Sequence, residues 1–179
     1  MAQFRYNKFK GSPMSESLTI FTIGHSNHSS EEFLQLLQQH GVVCLADVRS
    51  QPYSRYNPQF NRETLAAALR SAGIQYCDFG ATLGGRPDDP TLYDPGNERP
   101  NYSRQRQTDH YQGALQQLIQ QAATVKTAMM CSEGDPNECH RTWLITPSLI
   151  DAGVTVQHIL PDGQLVLGEK TFEQLGFGF

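Results

Sequence analysis

The stretch LTIFTIGHSNHSSEEFLQLLQQHGVVCLADV, residues 18–48, holds one complete strand–helix–strand unit. Leu18 to Gly24 is a short apolar, β-branched run closed by a glycine, the pattern of a buried strand. Ser29 and Glu32 form a capping box at the start of a helix whose Phe33, Leu34, Leu36 and Leu37 share one face. Gly41 ends that helix as a left-handed cap, and Val42 to Val48 is a second strand.

The same pattern repeats outward. Asn61 begins a second helix, with Leu65, Ala68, Leu69 and Ala72 on one stripe and Gly73 at its end. Ile74 to Phe79 is the third strand. The Gly- and Pro-rich stretch from Gly80 to Pro100 is long for a connection, which marks a functional or mobile loop. Ser103 or Thr108 then opens a helix in which Tyr111, Ala114, Leu115, Leu118, Ile119 and Ala122 follow the helical period. Val125 to Met130 is a fourth strand, Thr142 to Ala152 a helix stopped by Gly153, and Val154 to Leu160 a fifth strand. Pro161-Asp162-Gly163 turns into an antiparallel strand, Gln164 to Leu167. This alternation predicts an α/β, Rossmann-like fold: a mostly parallel sheet of about five strands, helices on both faces and a C-terminal antiparallel strand.

With 179 residues, 38% hydrophobic and 18% charged, the chain suits a single α/β domain over residues 18–179, preceded by a disordered leader, 1–17. The leader carries Arg5, Lys8 and Lys10 but no apolar core of a signal peptide. No apolar run is long enough to span a membrane, and four cysteines without an export signal predict reduced thiols in a cytoplasmic protein. The net charge of −4 excludes a duplex binder held by bulk electrostatics. Ten arginines stand against four lysines, and arginine is selected where carboxylate or phosphate is gripped in a planar, bidentate way.

A parallel sheet keeps its crevice beyond the carboxyl ends of its strands. Those ends carry His25 and Ser26; Asp47 and Arg49, with Arg55 in an aromatic, Pro-rich turn; Gly84-Gly85-Arg86; and Cys131, Glu133 and the run from Asp135 to Arg141. Arg49, Arg55, Arg86 and Arg141 on one rim suit an anionic ligand. For Arg49 and Arg141 the alternative is pairing with Asp47 and Glu133 as loop clamps. Asp135 as N-cap, Pro136 at N1 and Glu138 at N3 mark a helix start. Cys139 and His140 then fall in or just after its first turn, where the helix end and Arg141 favour a thiolate. Cys131, beside Glu133, is the rival nucleophile. Cys44 and Cys77 lie inside strands and read as inert.

A metal site built from Cys131, Cys139, His140 and His25 is weighed and not assigned. Seven residues separate the two cysteines, no C-x-x-C occurs, and neighbouring Cys139 and His140 on one helix would point apart. No cofactor is assigned either. Asp47 lies near the ribose-binding spacing after Gly24, but G-x-G-x-x-G is missing. Gly84-Gly85 before Arg86 is the better anion cradle.

Thr22-Ile23-Gly24-His25-Ser26, Asp47-Val48-Arg49, the Pro52-to-Arg55 turn with Pro58 and Phe60, Leu83-Gly84-Gly85-Arg86, and Cys131 through Cys139-His140-Arg141 resemble, in order and spacing, the bacterial and archaeal DUF488 family. The resemblance runs from about Thr19 to Leu160, and the family has no established function to carry over. Pro147 departs from the uninterrupted helix expected after Cys-His-Arg and should kink it. A weaker similarity is to rhodanese-like and cysteine-phosphatase domains, which also carry Asp-Val-Arg after an early strand and a cysteine after a later one. Cys131 to Arg141 is longer than their anion loop and lacks Cys-x-x-Gly-x-Arg, so it serves as an analogy of mechanism.

These readings lead to an expected enzyme acting on a small anionic substrate, a nucleotide or another phosphate-bearing molecule. Arg49, Arg86 and Arg141 would bind the anion, with Ser26, Asp47, Arg55, Gly84 and Gly85 around it. Cys131 or Cys139 would be the nucleophile, and Glu133, His25 or His140 would move protons. The alternative is a non-catalytic module for a nucleotide or a single-stranded nucleic-acid end, with Tyr53, Tyr56 and Phe60 as stacking surfaces.

Overall fold

A computed structural model describes residues 17–170, so the leader expected over 1–17 lies almost entirely outside the described residues. The elements are β1 (Thr19–Gly24), α1 (Ser30–Gln39), β2 (Cys44–Asp47), α2 (Arg62–Ser71), β3 (Gln75–Asp78), α3 (Gly80–Leu83), α4 (Tyr102–Gln105), α5 (Asp109–Thr124), β4 (Thr127–Cys131), α6 (Thr146–Asp151), β5 (Thr155–Ile159) and β6 (Leu165–Leu167). They form one six-stranded sheet of order β3-β2-β4-β1-β5-β6. All pairings are parallel except β5 with β6. The fold is α/β, as the alternation predicts.

Period-two alternation in the strands divides the core. Phe21, Ile23, Leu45, Ala128 and Met130 face Phe33, Leu37, Leu65 and Leu69 of α1 and α2. Ile20, Ala46, Met129, Cys131 and Val156 face Tyr111, Leu115, Leu118 and Leu149 of α5 and α6. Strands buried on both faces need mostly apolar residues, which is why β1, β2 and β4 read as near-continuous apolar runs interrupted by Thr22, Asp47 and Thr127. The chain leaves β1 and β2 through helices on one face and leaves β4, which lies between them, through the other. That reversal opens a crevice at the carboxyl end of β4.

Local signals hold at most boundaries. Ser29 and Glu32 make the expected capping box on α1, and Gly41, Gly73 and Gly153 have φ of 65°, 74° and 80°, values that cost glycine little. Of the two predicted starts, Thr108 caps α5, whereas Ser103 lies inside a separate short helix, α4, capped by Asn101. The 80–100 stretch is more structured than expected. It opens with α3, includes a 3-10 turn at Pro90–Leu92 capped by Asp89, and is pinned by a Tyr93–Pro100 bridge.

The segment after β4 corrects the sequence reading. Asp135 does cap, accepting from Asn137 N–H at 2.8 Å, but the helix it opens is a 3-10 turn of three residues, Pro136–Glu138. Cys139 is then extended (φ −120°, ψ 143°), and helical backbone resumes at His140. Residues Arg141–Ile145 wind as a π-turn before α6. Pro147 therefore falls at the second residue of α6, directly after the π-turn, and the expected interruption of the helix takes the form of that π-turn. Among the described residues, no helix is long and apolar enough to cross a membrane.

Candidate active site

Pairing between β1 and β4 continues beyond both strands: His25 N–H donates to the Cys131 carbonyl and Ser26 N–H to that of Ser132, each at 2.9 Å. On the other side Val48 N–H donates to Met130 O at 3.1 Å. The Met130–Ser132 backbone is thus gripped from two neighbours. Gly24 is required there, since a Cβ on it would stand 1.7 Å from the Glu133 carbonyl oxygen.

On this frame Cys131 Sγ donates to Glu133 Oε2 at 2.9 Å. His140 Nδ1 lies 3.4 Å from Cys131 Sγ and 3.8 Å from Cys139 Sγ. The other ring nitrogen of His140 is 3.1 Å from the Val48 carbonyl. A carbonyl only accepts, so Nε2 carries the hydrogen and Nδ1 offers its lone pair to the sulfurs. Gly85 lies flat on the imidazole: a Cβ there would be 2.6 Å from His140 Cγ. The glycine pair that the sequence suggested as an anion cradle thus also makes room for a ring.

The cluster forms the floor of a cleft of about 560 Å³. Cys131, Glu133, Cys139 and His140 line it together with Ser132, Gly85, Arg49, Arg86, Arg99, Tyr53, Tyr102 and Trp143. A hydrogen bond with Cys139, and then burial, push the Cys131 thiol well above its usual range, so at rest it is a neutral donor. Burial opposes charge on Glu133, yet hydrogen bonds from Cys131, its own backbone and Cys139 outweigh it and hold the carboxyl below its ordinary pKa. Burial also opposes protonation of His140. Its contacts with Cys131, Glu133 and the Val48 carbonyl prevail and raise its pKa. A carboxylate and an imidazole therefore converge on one sulfur, ready to take its proton.

The predicted residues divide into two groups. Cys131, Glu133, Cys139, His140, Gly85, Arg86 and Arg49 meet at the cleft. Arg49, however, is engaged as a clamp: Nε and Nη2 grip the two Asp47 oxygens at 2.9 and 2.6 Å, and Nη2 also reaches Phe60 O. Tyr76 adds a bond to the same carboxylate. Arg141 is fully buried beneath the loop and donates from Nη2 to Gly134 O at 3.1 Å, so it neither lines the cleft nor pairs with Glu133. Arg55 is exposed and stacks over Tyr56, 4.8 Å from the ring centre. His25 packs on Phe60 with centroids 4.4 Å apart, and burial lowers its pKa to about 4. Ser26 and Gly84 hold loops, Ser26 through its Ser132 bond and Gly84 by accepting from Gln105 Nε2. Phe60 is buried, which removes it as a stacking surface, whereas Tyr53 faces the cleft.

Arg99, Tyr102 and Trp143 join the cleft without having been picked out from the sequence. Only the length of the 80–100 loop hinted at Arg99. Cys44 and Cys77 sit on adjacent strands with sulfurs 3.3 Å apart. The expected divergence of Cys139 and His140 on one helix, one of three grounds against a metal, is overturned. Cys139 and His140 are not two successive residues of a helix, and Cys131, Cys139 and His140 bring their ligand atoms within 4.8 Å of one another.

No curated protein and no solved structure matches this chain. The family model described as domain of unknown function DUF488 matches residues 29–146, a span from α1 to the start of α6 that includes both cysteines of the cluster, Glu133 and His140. That match covers more than half of the 179 residues, and the chain belongs to the DUF488 family.

Proposed function

We propose that this protein is an enzyme acting on a small anionic substrate, a nucleotide or another phosphate-bearing molecule, in the cleft at the carboxyl end of β4. The observation that supports this most is the convergence of Glu133 Oε2 and His140 Nδ1 on Cys131 Sγ at the floor of a cleft lined by Arg86 and Arg99. The two guanidinium groups would hold the anion, since Arg49 is committed to Asp47 and Phe60 and Arg141 is buried away from the cleft. The reaction centres on the Cys131–Cys139–His140 trio. Glu133 accepts the proton that leaves Cys131, a set suited to hydrolysis or group transfer. Tyr53, Tyr102 and Trp143 supply aromatic faces for a base, which also supports the binding-module reading.

Trp143 is the single tryptophan of the chain and lines the cleft, so its fluorescence reports occupancy. Titration with adenosine monophosphate should give a saturable change that is lost in Arg86→Ala/Arg99→Ala. Turnover across a panel of nucleoside phosphates and phosphate esters should vanish in Cys131→Ser. Undiminished turnover in Cys131→Ser would sink the reading. Binding that depends on both arginines, with no turnover in the wild type, would favour the binding module.

A further inference from the structure

We infer that Cys131, Cys139 and His140 are the protein ligands of a divalent ion of the zinc class, with an open coordination position facing the cleft. The inference rests on the proposed active site for the ion's role, though not for its binding. It specifies what supplies the reactive group there.

Tetrahedral zinc with bonds of about 2.3 Å to sulfur and about 2.0 Å to nitrogen sets its ligand atoms roughly 3.5–3.8 Å apart. The His140 Nδ1 separations of 3.4 and 3.8 Å from the two sulfurs fall at that spacing, and all three ligand atoms lie within 4.8 Å of one another. The shell around them fits as well. Val48 takes the Nε2 hydrogen at 3.1 Å, which fixes the tautomer a metal-bound histidine needs and orients the ring. Arg141 N–H donates to Cys139 Sγ at 3.5 Å, a bond suited to a thiolate ligand. Two sulfurs and an imidazole select a soft or borderline ion over magnesium or calcium.

Three ligands come from the protein, and the cleft lies over them. That is the count of a catalytic centre, which keeps one position for water or substrate, and not of a closed structural one. Glu133, with Oε2 2.9 Å from Cys131 Sγ, lies beside the ligand set and would be placed to take a proton from a water held at the open position. Loading balances as one divalent ion plus two thiols and a neutral imidazole giving a bis-thiolate complex, with two protons released to solvent, that of Cys131 by way of Glu133.

The test uses the full-length protein, stripped of metal and titrated with cobalt(II). We expect one equivalent to bind with thiolate-to-cobalt charge-transfer bands and intense tetrahedral ligand-field bands, all displaced by zinc. Cys131→Ser and His140→Ala should each weaken binding by more than the roughly 10–100-fold typical of a lost outer-shell partner. Glu133→Gln should retain the ion, and Cys77→Ala, at the other sulfur pair, should change nothing. Should the cluster variants fail to fold, iodoacetamide mapping of the wild type replaces them: zinc should protect Cys131 and Cys139 and leave Cys77 unaffected. Absence of the charge-transfer bands, protection confined to Cys44 and Cys77, or release of the ion by Glu133→Gln would each overturn the inference. If cobalt fails to bind while the adenosine monophosphate titration still depends on Arg86 and Arg99, the metal inference falls and the proposed function stands. If cobalt binds and that titration is flat, the reverse holds.

Discussion

Replacing Asp47 with alanine separates an arginine that holds the site from one that would bind substrate. Asp47 and Arg49 are both buried, at 1% and 4% exposure. Their bidentate pair is reinforced by Arg49 N–H at 3.1 Å and Tyr76 OH at 2.9 Å. Removing one partner of a buried pair strands the other charge and costs about 3–5 kcal/mol, a large part of a typical total of roughly 5–15 kcal/mol. For a chain of this size the melting temperature should fall by roughly 6–20 °C. Urea unfolding followed by circular dichroism measures the loss, and Asp47→Asn, which keeps one acceptor, should lose less. The Asp47→Ala/Arg49→Met double variant should recover part of the cost, because no charge is left unpaired. A loss below about 1 kcal/mol, the range of an exposed pair, would refute the clamp. So would an Arg49→Met variant of full stability that no longer binds adenosine monophosphate.

Three further outcomes follow from the same geometry. His25 and His158 are both held near pKa 4 against 6.5, by burial in each case and by the Arg141 charge for His158. Their neutral forms fit the fold, so stability is complete above about pH 6.5 and falls as pH drops towards 4, where only the unfolded chain takes up protons. The full effect is up to about 3 kcal/mol for each histidine. Urea midpoints at pH 7 and pH 4.5 check this, and His158→Asn should remove about half of the histidine contribution, that of His25 remaining. Gly85→Ala forces a methyl into the His140 ring, an overpacking cost of about 1–3 kcal/mol that should also reduce cobalt binding. Cys44, fully buried with its thiol pushed up to about 12 by burial and its Cys77 neighbour, should be the last cysteine alkylated in the native protein. Labelling at equal rates on Cys44 and Cys77 would contradict that.

Signals that act within a few residues read correctly from the sequence. The Ser29–Glu32 box, the Gly41, Gly73 and Gly153 stops, and the apolar runs of β1, β2 and β4 state their conformation locally. The Asp135 cap misled because a cap specifies where helical turns begin and not how long they continue. Here the extended Cys139 ends the turn after three residues, and what holds His140 is a bond to Val48, 92 positions away. Arg141 shows the same limit. Chain position puts it at the strand-end rim, but its side chain turns inward to Gly134 beside the close approach of Gly24 to Glu133. No periodicity encodes that direction. The placement of Cys131, Glu133, Cys139 and His140 at one strand end was legible from topology; their mutual distances depend on packing against β1 and β2.

The cleft above the Cys131–Cys139–His140 floor is tested most directly by anomalous diffraction from crystals soaked in tungstate, a tetrahedral oxyanion with a strong heavy-atom signal. The strongest anion peak should stand in that cleft between Arg86 and Arg99, and it should disappear in Arg86→Ala/Arg99→Ala crystals. A cleft free of tungstate, with peaks only elsewhere on the protein, would contradict the account.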